Sequence, residues 1–494
     1  MTAPSQARLL TAQRHQIELR SFDLDASLPA DHPARSAWAF VQKLDLGALY
    51  AQIKSVRGGA GAPAIDPAIL MALWLWATID GVGSAREVQR LCGRDDAYRW
   101  LCGGVNVNHH TLADFRVAHG PWLDMQLTLS MASLLDRRLI TLEVVAQDGL
   151  RVRASAKASS FRRKDRLLLL QATARQQVQA LKAELDGDAS ASVQRKHERL
   201  ARSALDREQR LTQALHTLER IERRSHKLTQ SKADRRRGAS SSLPSTSSPE
   251  SSDPTPTPTP TPSPHTTPVA PAIGEGSAQR SDGAETLNKT GKIDTATAPS
   301  KAGKPAAQPR ASTSDPQARI MKMADGGFRP AYNVQLVVDE KTQLIAALEV
   351  SDQGSDMNEM VPLHAQLVRR YDHTPALWLA DGGYPKHTAI EHLSRCGTQP
   401  VIPPAKSRKK DFNPLAPQST DSDELARWRG LMASDEGKAL YKRRSASIEC
   451  TNAQLRRRRL DHFNVRGRLK ARAVVIWHAL AHNLMRMRSL GLAI

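Results

Sequence analysis

The sequence predicts a protein of the α/β class, with a mixed sheet of about five strands and helices packed on it. Three observations predict this fold. Short apolar runs alternate with amphipathic helical patterns after residue 328, helical patterns fill residues 1–140, and residues 162–327 contain no Phe, Tyr or Trp. A stretch without aromatic side chains does not build an ordinary core, so the 494-residue chain divides into ordered parts around an insertion.

Residues 1–140 are predicted to form an all-α region. Pro67 begins the run Ala68–Ile79, which is apolar on nearly every side, as expected of a buried helix. Ser84 and Glu87 have the spacing of a capping box for the next helix, and Thr111–Arg116 begins another. Short helices of this kind can bury a small core, and they can also present one helix to a DNA groove. The pattern fits both roles.

The strands are predicted on either side of the insertion. The first is Leu142–Ala154, where Asp148 and Gly149 predict a turn or bulge between two strand segments. After the insertion the predicted elements are a β-hairpin, a helix, a strand, a helix, a strand and two helices, over residues 331–350, 356–371, 376–380, 385–393, 400–402, 436–460 and 469–490. This order of elements is that of a ribonuclease-H-like fold.

The insertion itself has two parts. Residues 166–237 are rich in Leu, Ala, Gln, Arg and Glu, which predicts two long polar helices forming a helical arm. Residues 238–314 are rich in Ser, Thr and Pro, which predicts a disordered or extended linker. The predicted domains are therefore a helical region (1–140), a ribonuclease-H-like domain (141–165 with 315–494), the arm and the linker.

The net charge predicts a polyanionic partner. Lys and Arg number 71 against 50 Asp and Glu, a net charge of +21. Counted along the chain it is −1 for residues 1–150, +13 for 151–240, −3 for 241–400 and +12 for 401–494, which sums to +21. Two basic blocks beside near-neutral regions favour nucleic acid, because cations that neutralise phosphates release counterions. Neither block contains an amphipathic helix with a bulky apolar face, so a membrane partner is not expected.

The sequence also predicts a cytoplasmic location. The four cysteines form no C-x-x-C pair, which favours reduced thiols. No basic segment followed by an apolar one begins the chain, as it would in a signal peptide. The apolar run Ala68–Ile79 has 12 residues, whereas a membrane-spanning helix needs about 20.

Three carboxylates occupy positions that this fold would bring together. Asp148 ends the first strand segment, Asp381 follows a strand at its carboxyl end, and Glu449 lies on the helix after the last strand. Two-metal phosphoryl transfer needs carboxylates from rigid elements that converge on two divalent ions, and Mg²⁺ prefers such oxygen ligands. Singly, an Asp-Gly pair is more often a turn, and a Glu on a basic helix is more often in a surface ion pair. Their joint placement favours a metal site.

Several motifs, in the correct order, resemble those of bacterial insertion-sequence transposases of the Asp/Asp/Glu (DDE) class. In the predicted catalytic domain they are Val145–Gly149 with Arg151–Ala154, Tyr332–Gln335, Leu379–Tyr384, and Tyr441 with Arg444 and Glu449. In the predicted helical region they are Gly83–Val88, Arg99–Leu101 and His110–Arg116. The resemblance covers most of residues 20–165 and 315–490, whereas the arm and linker match no family motif.

The resemblance implies a catalytic site and an activity. In that family a ribonuclease-H-like domain holds two Mg²⁺ ions, for which Mn²⁺ can substitute, and the matching ligands here are Asp148, Asp381 and Glu449. One ion activates the attacking water or 3′-hydroxyl, and the other stabilises the leaving oxygen. The implied activity is binding of terminal inverted repeats, cleavage of DNA at the element's ends and joining of the 3′-hydroxyls to target DNA.

The resemblance also implies partners, and it leaves two alternatives. The implied substrate is double-stranded DNA, and the implied location is the nucleoid. Because two element ends must be brought together, the resemblance also implies a homodimer or a larger assembly. A catalytically inactive DNA-binding relic, or a structure-specific nuclease of the same fold, would share the basic surfaces. Because all three carboxylates are present, the sequence favours the active transposase.

The family signature around the glutamate, Y-x2-R-x3-E-x6-K, is matched with one departure. Four residues rather than three separate Arg444 from Glu449. On an α-helix this puts the two side chains about 140° apart instead of about 40°. Arg456 occupies the position of the lysine and stays on the face of Glu449. The residues predicted to contact DNA are Arg444, Arg456, Arg457, Arg459, Lys406, Arg408 and Tyr441.

Overall fold

The computed structural model describes residues 23–55, 62–185, 191–240, 308–405, 407 and 412–492. The chain divides between residues 222 and 223, and again between residues 308 and 309, into two units. Most of the predicted linker, residues 241–307, lies outside the described residues. The domain boundaries given above remain a prediction.

Helices fill the described part of the chain before the first strand. They are α1 (Pro33–Gln42), α2 (Gly47–Tyr50), α3 (Pro67–Ile79), α4 (Ala85–Leu91), α5 (Asp96–Cys102), α6 (His109–Ala118) and α7 (Gly120–Asp136). The predicted buried helix is α3, in which 11 of 13 residues are buried. The Asp66 carboxylate caps it by accepting a hydrogen bond from the Ala68 N–H at 2.8 Å. Ser84 caps α4 as predicted.

The strands are β1 (Val144–Arg153), β2 (Phe161–Arg162), β3 (Ala311–Ser312), β4 (Arg319–Lys322), β5 (Phe328–Asp339), β6 (Ile345–Ser351), β7 (Leu377–Leu379) and β8 (Gln399–Val401). The main sheet has the order β6-β5-β1-β7-β8. The pairs β6/β5 and β5/β1 are antiparallel, whereas β1/β7 and β7/β8 are parallel. This order confirms the predicted ribonuclease-H-like mixed sheet. The short β4, which lies beside the start of β5, is a further strand that the sequence did not predict.

The remaining helices are α8 (Lys164–Leu185), α9 (Ala191–Ser240), α10 (Met360–Tyr371), α11 (His387–Arg395), α12 (Asp423–Ala433), α13 (Asp435–Arg444), α14 (Cys450–Arg457) and α15 (Arg468–Ser489). Helices α8 and α9 pack on each other through a small apolar cluster of their own, formed by Leu167, Ala174, Leu211, Ala214 and Leu218 with Ala311. A larger core contains the sheet and the helices α1–α7. Helix α15 packs against both the sheet and these helices. None of the described helices is long and apolar enough to cross a membrane.

Helix α15 is attached to the edge of the sheet by buried polar side chains. The Asn483 amide accepts from the Ile345 N–H at 2.8 Å and donates to the Ile345 carbonyl at 2.9 Å, which satisfies the first residue of β6. His482 Nε2 lies 2.9 Å from the Gln343 carbonyl, and its Nδ1 lies 3.4 Å from Arg458 Nη1. These contacts fix the position of α15 against the β5–β6 turn.

We expect His482 to make the core sensitive to acid. Burial lowers the pKa of His482 from 6.5 to about 4. Between these values the unfolded chain binds more protons than the folded one, so the free energy of unfolding falls as the pH is lowered. The loss is about 2 kcal/mol between pH 7 and pH 5. Urea unfolding followed by tryptophan fluorescence measures it, since several tryptophans, Trp477 among them, are buried in the folded protein.

The matched variant for this prediction is His482→Gln, because glutamine does not titrate. Its stability should fall less between pH 7 and pH 5 than that of the wild type, by about 2 kcal/mol. His478, which burial also gives a pKa of about 4, is present in both proteins and cancels in the comparison. Equal losses in the two proteins would contradict the prediction.

Candidate active site

Five aspartates line one cleft of about 600 Å³ at the centre of the sheet, Asp325 and Asp461 together with three others. Asp148 is on β1, Asp356 is in the turn before α10, and Asp381 follows β7. A Cβ placed on Gly383 would lie 2.9 Å from Asp381 Oδ1 and 3.7 Å from Asp356 Oδ2, so these two carboxylates face the same point. This part of the cleft therefore brings carboxylates together.

Asp148 is held from two sides. Its Oδ1 accepts from the Gly149 N–H at 2.8 Å, and its Oδ2 accepts from Asn452 Nδ2 at 2.9 Å. Burial, together with the carboxylates of Asp381 and Asp356, raises the pKa of Asp148 to about 6, although Arg444 acts in the opposite direction. The charged form is therefore costly here, and a nearby cation would stabilise it.

The prediction that Asp148 ends a strand segment at a turn or bulge is wrong. Strand β1 continues without interruption from Val144 to Arg153, and Asp148 pairs with Leu336 near its middle. A Cβ on Gly149 would lie 2.6 Å from both Asp356 Oδ1 and Gln335 Nε2. The glycine is needed because these side chains approach the strand closely, and not because the chain turns.

Sequence reasoning missed Asp356. The predicted helix from residue 356 begins only at Met360, which leaves Asp356 in the preceding turn. Its Oδ1 accepts from Asn333 Nδ2 at 2.7 Å and from Gln335 Nε2 at 2.6 Å, and Arg151 Nη2 lies 2.9 Å from Oδ2. Asn333 and Gln335 are polar residues on a central strand, and such buried amides need a partner. The two amides on a predicted buried strand are therefore the sequence signal that a polar partner such as Asp356 lies beside them.

Gln335 also begins a buried polar network beneath the aspartates. Its Oε1 accepts from Gln147 Nε2 at 2.8 Å and from the Tyr384 hydroxyl at 2.6 Å. Trp378 Nε1 donates to Gln147 Oε1 at 3.0 Å. The network links β1, β5, β7 and the loop after β7, so it fixes the strands that carry Asp148 and Asp381.

Glu449 reaches this site through Arg444. Its carboxylate, half exposed, lies 2.6 Å from Arg444 Nη2, and Arg444 Nη1 lies 3.6 Å from Asp148 Oδ2. The prediction of a single α-helix over 436–460, with the two residues about 140° apart, is wrong. A π-helical turn, Ser445–Glu449, separates α13 from α14. A π-turn bonds each residue to the fifth one on, so it absorbs the extra residue and returns Glu449 to the side of Arg444.

The comparisons with known proteins agree with this arrangement. Residues 298–484 match the family described as "Transposase DDE domain", and residues 22–118 match the one described as "Transposase domain". The chain belongs to the insertion-sequence DDE transposases. The first match contains Asp381 and Glu449 but begins after Asp148 in the chain, so the place of Asp148 rests on the geometry of the cleft. The transposase has no significant match among curated proteins or solved structures.

The other predicted site residues of the transposase divide into three groups. Arg456 lines the cleft beside Asp148 and Asp381, and the Tyr441 ring centre lies 5.9 Å from Arg444 Cζ. Arg457 and Arg459 are exposed, and Arg459 lines a different pocket, beside Gly81. The remaining two, Lys406 and Arg408, lie outside the described residues.

Gly149→Ala should damage the transposase through the close approach described above. The new methyl group would meet Asp356 Oδ1, Gln335 Nε2 and Asn333 Oδ1 within 2.6–3.0 Å. Displacing these side chains should cost about 1–3 kcal/mol, measured by urea unfolding. Gly430→Ala is the matched control, because a Cβ at that helical glycine meets nothing within 4 Å. It should leave stability unchanged or raise it by about 0.5–1 kcal/mol. Equal effects of the two changes would contradict the prediction.

Proposed function

We propose that this transposase cleaves DNA strands at the ends of its element and joins the resulting 3′-hydroxyls to target DNA. The observation that carries the proposal is the convergence of Asp148 and Asp381, from adjacent parallel strands, in one cleft. The same cleft is lined by basic side chains that suit a polyanion: Arg151, Arg153, Lys322, Arg329 and Arg456. Acidic and basic groups in one open cleft are what metal-assisted phosphoryl transfer requires.

The chemistry of the cleft fits divalent Mg²⁺. Oxygen ligands predominate, and an ion that keeps several waters needs only two or three carboxylates. Asn452 Oδ1 is buried beside Asp148 without a hydrogen-bond partner in the described structure, which leaves an oxygen atom for a ligand of the site. Among the described residues, no three His, Cys, Asp or Glu side chains already converge as a metal site. Asp148 and Asp381 would hold the ion, and Glu449 would join after releasing Arg444.

The protein's own residues supply position and charge. When bound, Mg²⁺ would activate the attacking oxygen and stabilise the leaving one. Arg456 and Lys322, on the wall of the cleft, would hold the phosphates that flank the scissile bond. Arg444, once parted from Glu449, becomes free to contact a phosphate as well. The Gln335 network would keep β1 and β7 in register while the DNA is bound.

The same proposal covers DNA recognition and assembly. The helices α1–α7 are the candidate element for reading the inverted repeats, and the basic helices α8 and α9 are candidates for contacts with flanking DNA or with a second subunit. Bringing two element ends together would require a dimer or a larger assembly.

The proposal is tested with a labelled duplex carrying the element's own end, incubated with the full-length protein in Mg²⁺ or in EDTA. The expected result is Mg²⁺-dependent nicking at the end followed by joining to a second duplex. Nicking of any duplex, without a requirement for the end, would favour a nuclease. Salt-sensitive binding with no nicking would favour an inactive DNA-binding protein and would overturn the proposal.

A further inference from the structure

A second cleft, of about 670 Å³, adjoins the catalytic one. The two share Arg153 and Arg329, and residues of the hairpin formed by β4 and β5 line both. Lys322, at the end of β4, lines the catalytic cleft, and its pairing partner Phe328, at the start of β5, lines the second cleft. A strand of nucleic acid leaving the catalytic cleft past this hairpin would enter the second cleft directly.

The charged side chains that line the second cleft are all basic. Arg153, Lys157, Arg329 and Arg466 line it together with His462, and none of the lining residues is an Asp or Glu. Arg329 is paired with Asp325 at 2.5 Å. Within the described ranges, Arg153, Lys157 and Arg466 have no ion-pair partner. Cations that no carboxylate neutralises attract phosphates, and binding releases their counterions.

Phe328 provides the second, independent feature. Its side chain is 69% exposed, more than the 40% of Phe412, whereas Phe40, Phe115, Phe161 and Phe463 are buried. It follows the turn at Gly326 and Gly327, where Gly326 has a φ of +80° that favours glycine. An aromatic ring held in solvent beside unpaired cations is the arrangement by which proteins bind unpaired nucleotides, because every base can stack on the ring.

We infer that this second cleft binds an unpaired nucleotide of the DNA strand that leaves the catalytic cleft. The inference rests on the proposed function, and it identifies the ligand of the cleft that adjoins the catalytic one. The base stacks on Phe328, and the adjoining phosphates contact Arg153, Lys157 and Arg466. The cleft volume is that of a small-molecule pocket, roughly 300–1,000 Å³, which suits one or two nucleotides.

The first test identifies the contact directly. The full-length protein in EDTA is irradiated with a short single-stranded oligonucleotide carrying 5-iododeoxyuridine, which couples to stacked aromatic rings, and the joined peptide is identified by mass spectrometry. We expect the peptide that contains Phe328, and we expect its loss in Phe328→Leu, which keeps the apolar volume but has no ring. Coupling only to other aromatic residues would overturn the inference.

The second test separates stacking from charge. Phe328→Ala should weaken the affinity for the oligonucleotide about 5- to 100-fold without changing its salt dependence, and Phe328→Trp should restore it. Arg466→Ala should lower the slope of log affinity against log salt by about 0.7. Leu490→Ala and Arg369→Ala, at exposed positions after α15 and on α10, serve as controls and should change neither quantity. Wild-type affinity in Phe328→Ala would overturn the inference.

These measurements in EDTA do not depend on catalysis. If the protein couples through Phe328 but shows no Mg²⁺-dependent nicking, the nucleotide site is supported and the proposed function fails. If it nicks element ends normally but Phe328 neither couples nor affects affinity, the proposed function stands and the inference is overturned.

Discussion

Asp381→Asn should reduce Mg²⁺-dependent strand cleavage by a factor of about 10³ or more, with little change in DNA affinity. The amide removes one of two carboxylates that converge in the catalytic cleft, and it is too weak a ligand to replace the lost charge. It preserves the side-chain volume and an oxygen that can still accept from the Gly383 N–H, which is bonded to Asp381 Oδ1 at 2.8 Å. The fold should therefore survive.

The measurement compares single-turnover nicking of a duplex that carries the element's end with binding of the same duplex. Asp372→Asn is the matched control: it makes the same chemical change at an exposed residue after α10, where the left-handed backbone (φ +47°) tolerates asparagine. It should cleave at the wild-type rate. Near-normal cleavage by Asp381→Asn would show that Asp381 does not belong to the catalytic site. Equal losses of cleavage in both variants would indicate a nonspecific effect.

Arg444→Ala should make the stability of the protein depend on Mg²⁺. The guanidinium, 11% exposed, lies between Asp148 and Glu449 and forms an ion pair with each of them. Removing it leaves Asp148 close to two further carboxylates, so the free energy of unfolding in EDTA should fall by about 3 kcal/mol. A divalent cation should recover most of this loss by taking over the charge of the arginine.

Thermal and urea unfolding in EDTA and in millimolar Mg²⁺ test this without any activity assay. Arg443→Ala is the matched control, since Arg443 is paired instead with Glu340, which lies outside the cleft lining. Its loss should be smaller and insensitive to Mg²⁺. The double variant Arg444→Ala with Asp148→Asn should be more stable in EDTA than Arg444→Ala alone. If Mg²⁺ stabilises the wild type and Arg444→Ala equally, the arginine does not occupy the place of the cation.

The sequence predicted those features that local patterns determine. Alternating apolar residues identified the strands that became β5, β6, β7 and β8, and their order with the intervening helices was enough for the topology. Asp381 was placed correctly after β7, because a buried strand followed by Asp-Gly-Gly ends where the apolar run ends. The start of α3 at Pro67 and the capping residue Ser84 of α4 were predicted for the same reason.

The features that the sequence did not predict depend on contacts distant in the chain. Asp356 acquires its partners from β1 and β5, which lie far away in sequence. Gly149 was interpreted as a turn residue because the side chains that crowd it come from those other segments. No particular residue types mark a π-turn such as the one after Arg444, so the sequence did not predict it. The turn can be explained only by the contact between Arg444 and Asp148, which lie 296 positions apart (444 minus 148).

The insertion between β1 and β5 has a consequence for synthesis. The two strands pair over nine positions, yet 174 residues separate Arg153 from Phe328 (328 minus 153 minus 1). At about 5–20 residues per second, β1 leaves the ribosome roughly 10–35 seconds before its antiparallel partner exists. During that interval Asp148 has neither Gln335 nor Asp356 beside it. A nascent chain therefore stays without its acidic cleft until most of the protein has been made, whereas the loop length itself costs little, about 0.6 kcal/mol per doubling.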